Sequence, residues 1–209
     1  MPRFLLPALM FPLLTLAAPE WVADPFEPPE HSVAAGAGAG SVCRSEYLGG
    51  MHAGSYLDGF CHIDYGGADL AQTAFDVLVE EDAGAIRWVA ASKGEVPEGA
   101  YPTGAEPWPS DAPDLIQYSC RSDIWVPDSS SGKIEWTHAG VRLGKLIGAF
   151  CNIPMGDRVV SAPGYEVLVI EGGTSRIRSR RQGRIGHGNS PRFSPDGRRV
   201  PQGGFGPGR

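Results

Sequence analysis

Apolar residues occur along this chain in short runs, each bounded by glycine, proline or other turn-forming residues. The segment "KIEW" (133–136) alternates polar and apolar residues, and "LIGAFCNI" (146–153) is an apolar run between turn signals. Runs of this length predict β-strands. By contrast, residues 96–114, "VPEGAYPTGAEPWPSDAPD", are so rich in proline and glycine that they predict a loop. The spacing His138-x-Gly140 predicts a turn.

Self-comparison of the sequence predicts an internal duplication. "WVA" occurs at Trp21 and Trp88, and "CRSE" at Cys43 is answered by "CRSD" at Cys120. From Phe60, "FCHIDYGG…FDVLV" aligns without a gap with "FCNIPMGD…YEVLV" further along the chain. Because these landmarks recur in the same order, with extra residues inserted in the second copy, we expect two repeats. Repeat one spans residues 21–79 and repeat two spans 88–169.

The duplication also decides the structure of a segment that looks helical. "ADLAQTAFDVLVEED" (68–82) contains good helix formers, but its counterpart carries Pro163 and Gly164 directly before the matching apolar run. A helix would break there, so a turn followed by a short strand is predicted in both copies. The expected fold class is all-β, with two tandem pseudo-symmetric β repeats forming one compact domain.

Length and composition fit that expectation and set its limits. The chain has 209 residues, of which 42% are hydrophobic, and it contains 29 glycines and 19 prolines. This is enough for one domain, residues 18–173, with a core of its own. Residues 1–17 have a basic start, an apolar run and a small-x-small site, which predict a secretory signal peptide. We therefore expect a secreted, extracellular protein without a transmembrane segment.

Export changes the interpretation of the four cysteines. An even number of cysteines in an oxidising compartment favours disulfides over thiol chemistry. Each repeat holds one "CRS" cysteine and one "FC" cysteine, so the pairing that keeps each repeat self-contained is Cys43 with Cys61 and Cys120 with Cys151. Pairing across the repeats is the alternative that the sequence leaves open.

The C-terminal segment differs in charge from the rest of the chain. Residues 174–209 contain nine arginines and one aspartate, whereas residues 1–171 contain nine basic and 23 acidic residues. A segment dense in Gly, Pro, Ser and Arg predicts a disordered tail. A polyanion is the partner that such a tail would attract, and a solvated tail without a dedicated partner is the alternative.

No pattern in the sequence predicts catalysis or a metal. The nucleophile elbow and the zinc-protease motif are absent, and "GAGAG" (36–40) lacks the βαβ context of a dinucleotide loop. His52, His62 and Asp64 lack the spacing of a metal site. We therefore expect a protein that is not an enzyme and has no cofactor.

The order of the motifs resembles the DM9 (DM-nine) repeat family. In the second copy these motifs are Trp88, "VPEGA" (96–100), Arg121, "HAGVRLGK" ending at Lys145, and "YEVLV" (165–169). The first copy contributes "CRSEYLGGMHAGSYLDGFCHIDYGG", and the resemblance covers residues 21–169. The family includes secreted mannose-binding lectins with two tandem repeats, which implies carbohydrate binding for this chain.

The resemblance also implies which residues hold the sugar. In the lectins, an acidic residue after the "GA" loop and the lysine of the Gly-Lys step bind the ligand, and these roles fall on Glu106 and Lys145. A carboxylate that accepts and an ammonium that donates suit the adjacent hydroxyls of a pyranose, and Trp108 is the candidate for stacking. In the first copy, Ser55 replaces the lysine and residues 31–42 contain no carboxylate. One competent site is therefore expected.

The function predicted is that of a secreted, mannose-type lectin-like protein, with glycans as partners. Because such sites bind weakly, a homo-oligomer is the expected route to avidity. The alternative is a secreted structural or interaction module of the same fold that does not bind sugar.

Overall fold

The computed structural model describes residues 18–107, 115–128 and 133–171. The predicted signal peptide (1–17), Trp108 and the predicted tail (174–209) lie outside the described residues.

Within the described residues, the all-β prediction is confirmed. The first half of the chain forms β1 (Glu20–Ala23), β2 (Ser41–Tyr47), β3 (Gly50–Leu57), β4 (Phe60–Tyr65), β5 (Ala68–Gln72) and β6 (Asp76–Val79). After a short 3-10 turn (Ala83–Ala85), the second half forms β7 (Ile86–Ser92), β8 (Pro102–Glu106), β9 (Leu115–Asp128), β10 (Glu135–Ile147), β11 (Phe150–Pro154), β12 (Val159–Ala162) and β13 (Gly164–Ile170).

The strands pair in the same antiparallel order in both halves. The order is β1, β6, β2, β3, β4, β5 in the first half and β7, β13, β9, β10, β11, β12 in the second. Even single backbone contacts recur: the amide of Val33 donates to Leu78 O, and that of Tyr101 donates to Leu168 O. Strand β8 joins the halves, because Ala105 pairs with Ile116 of β9 and with Met51 of β3.

Three local predictions from the sequence are wrong in detail. Residues 102–106 are not loop but form β8, because pairing with β9 outweighs the local proline and glycine signals. The prediction for 68–82 missed strand β5, which pairs with β4; the predicted turn and strand follow it as a bend at residues 73–74 and as β6. His138-x-Gly140 is not a turn but a β-bulge within β10, where Gly140 adopts a φ of 77°.

Each half has a small core around its own disulfide, and a third core is shared. The disulfides join Cys43 to Cys61 and Cys120 to Cys151, which confirms the pairing within repeats. The shared core combines residues of both halves, namely Val33, Val42 and Leu78 with Tyr101, Leu143 and Leu168. The packing of one half on the other therefore removes apolar surface from water that neither half could bury alone. No helix among the described residues is long and apolar enough to cross a membrane.

The "CRS" motif has a structural role in each half. After the disulfide cysteine, Arg44 donates to Asp76 and lies over the ring of Trp21, 4.1 Å from its centroid. In the second half, Arg121 donates to Glu166 and lies 4.8 Å from the centroid of Trp88. The serines of the two motifs also make matching contacts, because Ser45 donates to Ala74 O and Ser122 donates to Gly164 O. These contacts fasten the outer strands of each half to β2 and β9.

Candidate functional site

The Gly-Lys step lies where strands β10 and β11 approach closely. A Cβ atom at Gly144 would be 2.1 Å from Asn152 O, and one at its counterpart Gly54 would be 2.3 Å from His62 O. Only glycine fits this approach, which accounts for the glycine of the motif. The next residue, Lys145, pairs with Ser119 and Asn152, and its side chain is only 2% exposed. A lysine this deeply buried is rare unless it has polar partners.

The partner of the Lys145 ammonium comes from the other half of the chain. Its Nζ lies 3.3 Å from Nδ1 of His52 on β3, and Nε2 of the same imidazole lies 3.0 Å from Tyr47 O. Because the carbonyl can only accept, these partners assign the proton to Nε2 and make Nδ1 the acceptor. His52 is itself buried. The Lys145 ammonium thus donates one of its three N–H groups to the neutral imidazole of His52.

Gln117 links this pair to Glu106. Its Nε2 donates to Glu106 Oε2 at 3.3 Å and lies 3.5 Å from His52 Nδ1, while its Oε1 accepts from the amide of Ala53. The amide side chain of Gln117 is fully buried, whereas Glu106 is half-buried at the end of β8. Strand β8 lies between β3 and β9, which is why the carboxylate reaches a network built on three strands.

A second carboxylate, that of Asp64, also acts on Lys145 and His52. Asp64 is buried on β4, and it accepts hydrogen bonds from the amide of Gly67 and from Nδ2 of Asn152. Asn152 is the β11 residue paired with Lys145. Among the described residues, no carboxylate forms an ion pair with the Lys145 ammonium. Two acidic groups therefore influence the lysine without neutralising it by contact.

The electrostatics of the site follow from burial. Desolvation lowers the pKa of Lys145 below its ordinary value of 10.5, and the charges of Asp64 and Glu106 oppose this shift. Desolvation, followed by the nearby Lys145 charge, lowers the pKa of His52 below 6.5. The hydrogen bond to Tyr47 O and the two carboxylates act in the other direction. Burial thus favours a neutral imidazole at His52, the form that can accept from the lysine.

The structure brings the two sequence-predicted ligand residues into one network and adds members that the sequence analysis missed. Glu106 and Lys145 are connected through Gln117 and His52. His52 and Asp64 had been considered only as metal ligands, together with His62. Instead, His62 hydrogen-bonds to Asp69, and the described residues contain no group of three or more potential metal ligands. The one sequence signal for Gln117 is a polar residue inside the apolar run "LIQYSC".

The corresponding position in the first half lacks this chemistry. Ser55, the counterpart of Lys145, is buried and donates to Ala39 O. Arg142, the counterpart of His52, donates to Gly38 O. Gly38 in turn occupies the position of Glu106, so this centre has neither the lysine nor the carboxylate.

Comparison with known proteins supports the family resemblance. The family model of the DM9 repeat matches residues 40–111, from the residue before β2 to just beyond β8. The boundaries of this segment differ from those of the predicted repeats, 21–79 and 88–169. The matched segment covers most of the first half and the start of the second. It includes His52, Asp64 and Glu106, whereas Gln117 and Lys145 follow it. No curated protein matches the chain. The match to residues 40–111, together with the duplicated β framework, supports assignment of this chain to the DM9 repeat family.

Proposed function

We propose that this protein binds carbohydrate at the network around Lys145. One observation carries the proposal: a buried ammonium uses one N–H donor on His52, has no ion pair among the described residues, and interacts electrostatically with the carboxylates of Asp64 and Glu106. A charged group that is buried with so few partners lowers the stability of the fold. Such a group is retained where the function requires it, so the buried ammonium indicates a polar ligand. A sugar hydroxyl is a ligand that can accept from Lys145 and donate to Glu106 at once.

The chemistry of the site suits a neutral hexose with adjacent hydroxyls. Glu106 is half-buried at the end of β8 and Lys145 is buried, so a vicinal pair of hydroxyls would have the carboxylate as acceptor and the ammonium as donor. Mannose-type sugars are favoured by the family resemblance. Sites of this kind bind with Kd values of about mM to μM, corresponding to about −4 to −8 kcal/mol. Avidity would then come from a homo-oligomer.

Titration of the full mature chain with methyl α-mannoside, beside a glycan array, tests the proposal. Lys145→Met and Glu106→Gln remove one charge each at nearly constant size. Each is expected to weaken binding about tenfold or more, because a hydrogen bond to a charged group is worth about 1.5–3 kcal/mol. Lys93→Met and Glu98→Gln are the matched controls, since both residues are exposed. Absence of binding in the wild type, or equal binding by all four variants, contradicts the proposal.

The burial of Lys145 favours a second candidate function, that of an interaction module without sugar binding. In that case the network serves only to hold β3, β8, β9 and β10 together. Lys145→Met would then lower the midpoint of thermal unfolding and leave any partner binding unchanged. A variant that keeps its stability and loses sugar binding excludes this candidate.

The remaining expectations extend the proposal beyond the site. Two disulfides suit an oxidising compartment, and we propose that the protein is secreted and acts without catalysis. We further propose that the arginine-rich segment 174–209 attracts a polyanion. Heparin binding that disappears on deletion of this segment, and that weakens steeply with salt, would support this role. Binding that survives the deletion would contradict it.

A further inference from the structure

The hairpin formed by β9 and β10 is longer than its counterpart in the first half. The first hairpin closes at the pair Tyr47 and Gly50, which corresponds to the pair Ile124 and Gly140 in the second. Beyond that pair the second hairpin continues for an additional segment, described for residues 125–128 and 133–139, which we call the arm. Since the first half folds to the same pairing order without an arm, the framework does not require this extension.

One face of the arm carries exposed aromatic residues. Trp125 lies opposite His138 and Trp136 lies opposite Pro127 in the β-ladder, so these four residues share a face. Trp125 is 55% exposed and Trp136 is 64% exposed. The two tryptophans are diagonal neighbours across the strand pair, so their Cα atoms are about 7–8 Å apart. Two tryptophans on one exposed face leave an unusually large apolar area in contact with water.

A polar pair borders the aromatic face. The ring of Trp125 lies 4.7 Å from that of His138, centroid to centroid, at a tilt of 33°. Nε2 of His138 donates to Oδ1 of Asp123, and both side chains are about half exposed. The imidazole is therefore fixed beside the tryptophan. The face combines an apolar ring surface with an exposed carboxylate and an exposed imidazole.

The size of the face favours a small ligand over a protein partner. A buried aromatic side chain contributes about 150–250 Å² of surface, so two half-exposed tryptophans offer on the order of 200–300 Å². A stable protein interface needs about 800 Å² from each partner. A pyranose ring fits the smaller area, because its C–H face stacks on an aromatic ring while its hydroxyls remain at the edge.

We infer that this face of the arm is a second carbohydrate-binding site, which stacks neutral hexopyranose rings on Trp125 and Trp136. Hydroxyls at the edge of the ring on Trp125 bond to Asp123 and His138. Two consecutive rings of an oligosaccharide fit the diagonal spacing, so the arm prefers oligosaccharides to single sugars. The inference deepens the proposed function and rests on it. The arm is separate from the network at Lys145, because Trp125 and Ser119, the partner of Lys145, are six residues and about 20 Å apart along β9.

Binding of two probes to the full mature chain tests the inference. The probes are methyl α-mannoside and a linear mannohexaose, measured by calorimetry and by the indole N–H signals of the tryptophans. In Trp125→Ala/Trp136→Ala, affinity for the hexaose is expected to fall about fivefold for each ring removed, while binding of the monosaccharide is unchanged. Phe26→Ala is the matched control, because Phe26 is an aromatic residue with 96% exposure outside the arm.

The outcomes separate this inference from the proposed function. Loss of monosaccharide binding in Lys145→Met, with equal hexaose affinity in the wild type and the tryptophan variant, overturns the arm site and leaves the central site standing. A fall in hexaose affinity in the tryptophan variant, with equal monosaccharide binding in the wild type and Lys145→Met, supports the arm and overturns the central site. Sedimentation that changes from dimer to monomer in the tryptophan variant, with sugar binding intact, shows an interface between copies and also overturns the inference. A wild type that binds neither probe overturns both.

Discussion

The two halves of this protein share their framework and differ in their polar centres. Both halves use a disulfide, an arginine between a tryptophan and a carboxylate, and a glycine at the closest strand approach. At the polar centre the second half has Lys145, whereas the first half has Ser55. The residues that specify the strand pairing have thus been retained in both copies, while the residues that provide chemistry have diverged.

The divergence extends to the partners of these two residues. Each centre takes groups from both halves, so the duplication places every partner at two positions. The corresponding pairs, with the Lys145 centre first, are Glu106 and Gly38, His52 and Arg142, Gln117 and Gly40, and Asp64 and Pro154. Each of these five differences, including that at Lys145, removes a side chain able to titrate or to accept from an ammonium. The polar centre can therefore differ between the copies without a change in the strand pairing around it.

The largest effects are expected where the halves are alike. Replacing both cysteines of either disulfide by alanine is expected to lower the free energy of unfolding by about 3 kcal/mol or more. The second disulfide closes a separation of 31 residues against 18 for the first, so its removal should cost about 0.5 kcal/mol more. Urea denaturation of the two double variants measures both values. A clearly smaller loss for the Cys120–Cys151 pair would contradict the interpretation based on chain entropy.

Exchanging the central residues tests whether the two centres have become different environments. Ser55→Lys places a charge at a buried position where Gly38 and Pro154 stand in place of the two carboxylates. A Cβ at neighbouring Gly40 would already be 2.7 Å from Ser55 Oγ. A loss of about 3 kcal/mol is expected from crowding and desolvation. Lys145→Met is expected to change the free energy of unfolding by less than about 1 kcal/mol, because it removes a buried charge at similar volume. Equal losses in the two variants, measured by urea denaturation, would contradict this difference.

The arginines of the two "CRS" motifs should contribute unequally, although their immediate surroundings match. Arg121 donates to Glu166 and also, through Nη1, to Ala35 O of the first half. Arg44 bonds to Asp76 within its own half. Arg121→Met is therefore expected to cost about 2 kcal/mol and Arg44→Met about 1 kcal/mol. Arg158→Met is the control, because Arg158 is exposed. Thermal unfolding in which Arg44→Met is the less stable variant would refute the proposed role of the contact with Ala35.

Much of the shared framework could be predicted from the sequence, because the duplication exposes it. The order of the motifs gave the pairing of the cysteines and excluded a helix at 68–82, and the structure agrees on both points. Strand β8 could not be predicted in the same way. Its proline and glycine signal a loop, and it is a strand only because β3 and β9 lie on either side of it. Pairing between distant segments outweighed local preference.

The members of the central network were predictable only in part. Glu106 and Lys145 were found through short motifs that the family resemblance singled out. His52 is 93 residues from Lys145 and belongs to the other half, so no local pattern connects the two. Gln117 and Asp64 likewise enter the network through the packing of strands from both halves. A sequence pattern identifies residues with suitable chemistry, but the neighbours that tune them are fixed by the tertiary fold.

The smallest expected effect concerns His52 and its counterpart in the other centre, Arg142. The pKa of His52 is lowered in the folded state, so the unfolded chain takes up this proton first as the pH falls below 6.5. Stability contributed by the neutral imidazole is therefore complete above that value and is lost as the pH falls toward the folded pKa. The slope from one proton cannot exceed about 1.4 kcal/mol per pH unit. His52→Gln should flatten the decline in unfolding free energy between pH 7 and pH 5, whereas Arg142→Gln should leave its slope unchanged. An equal slope in wild type and His52→Gln, measured by urea denaturation at each pH, would contradict this prediction.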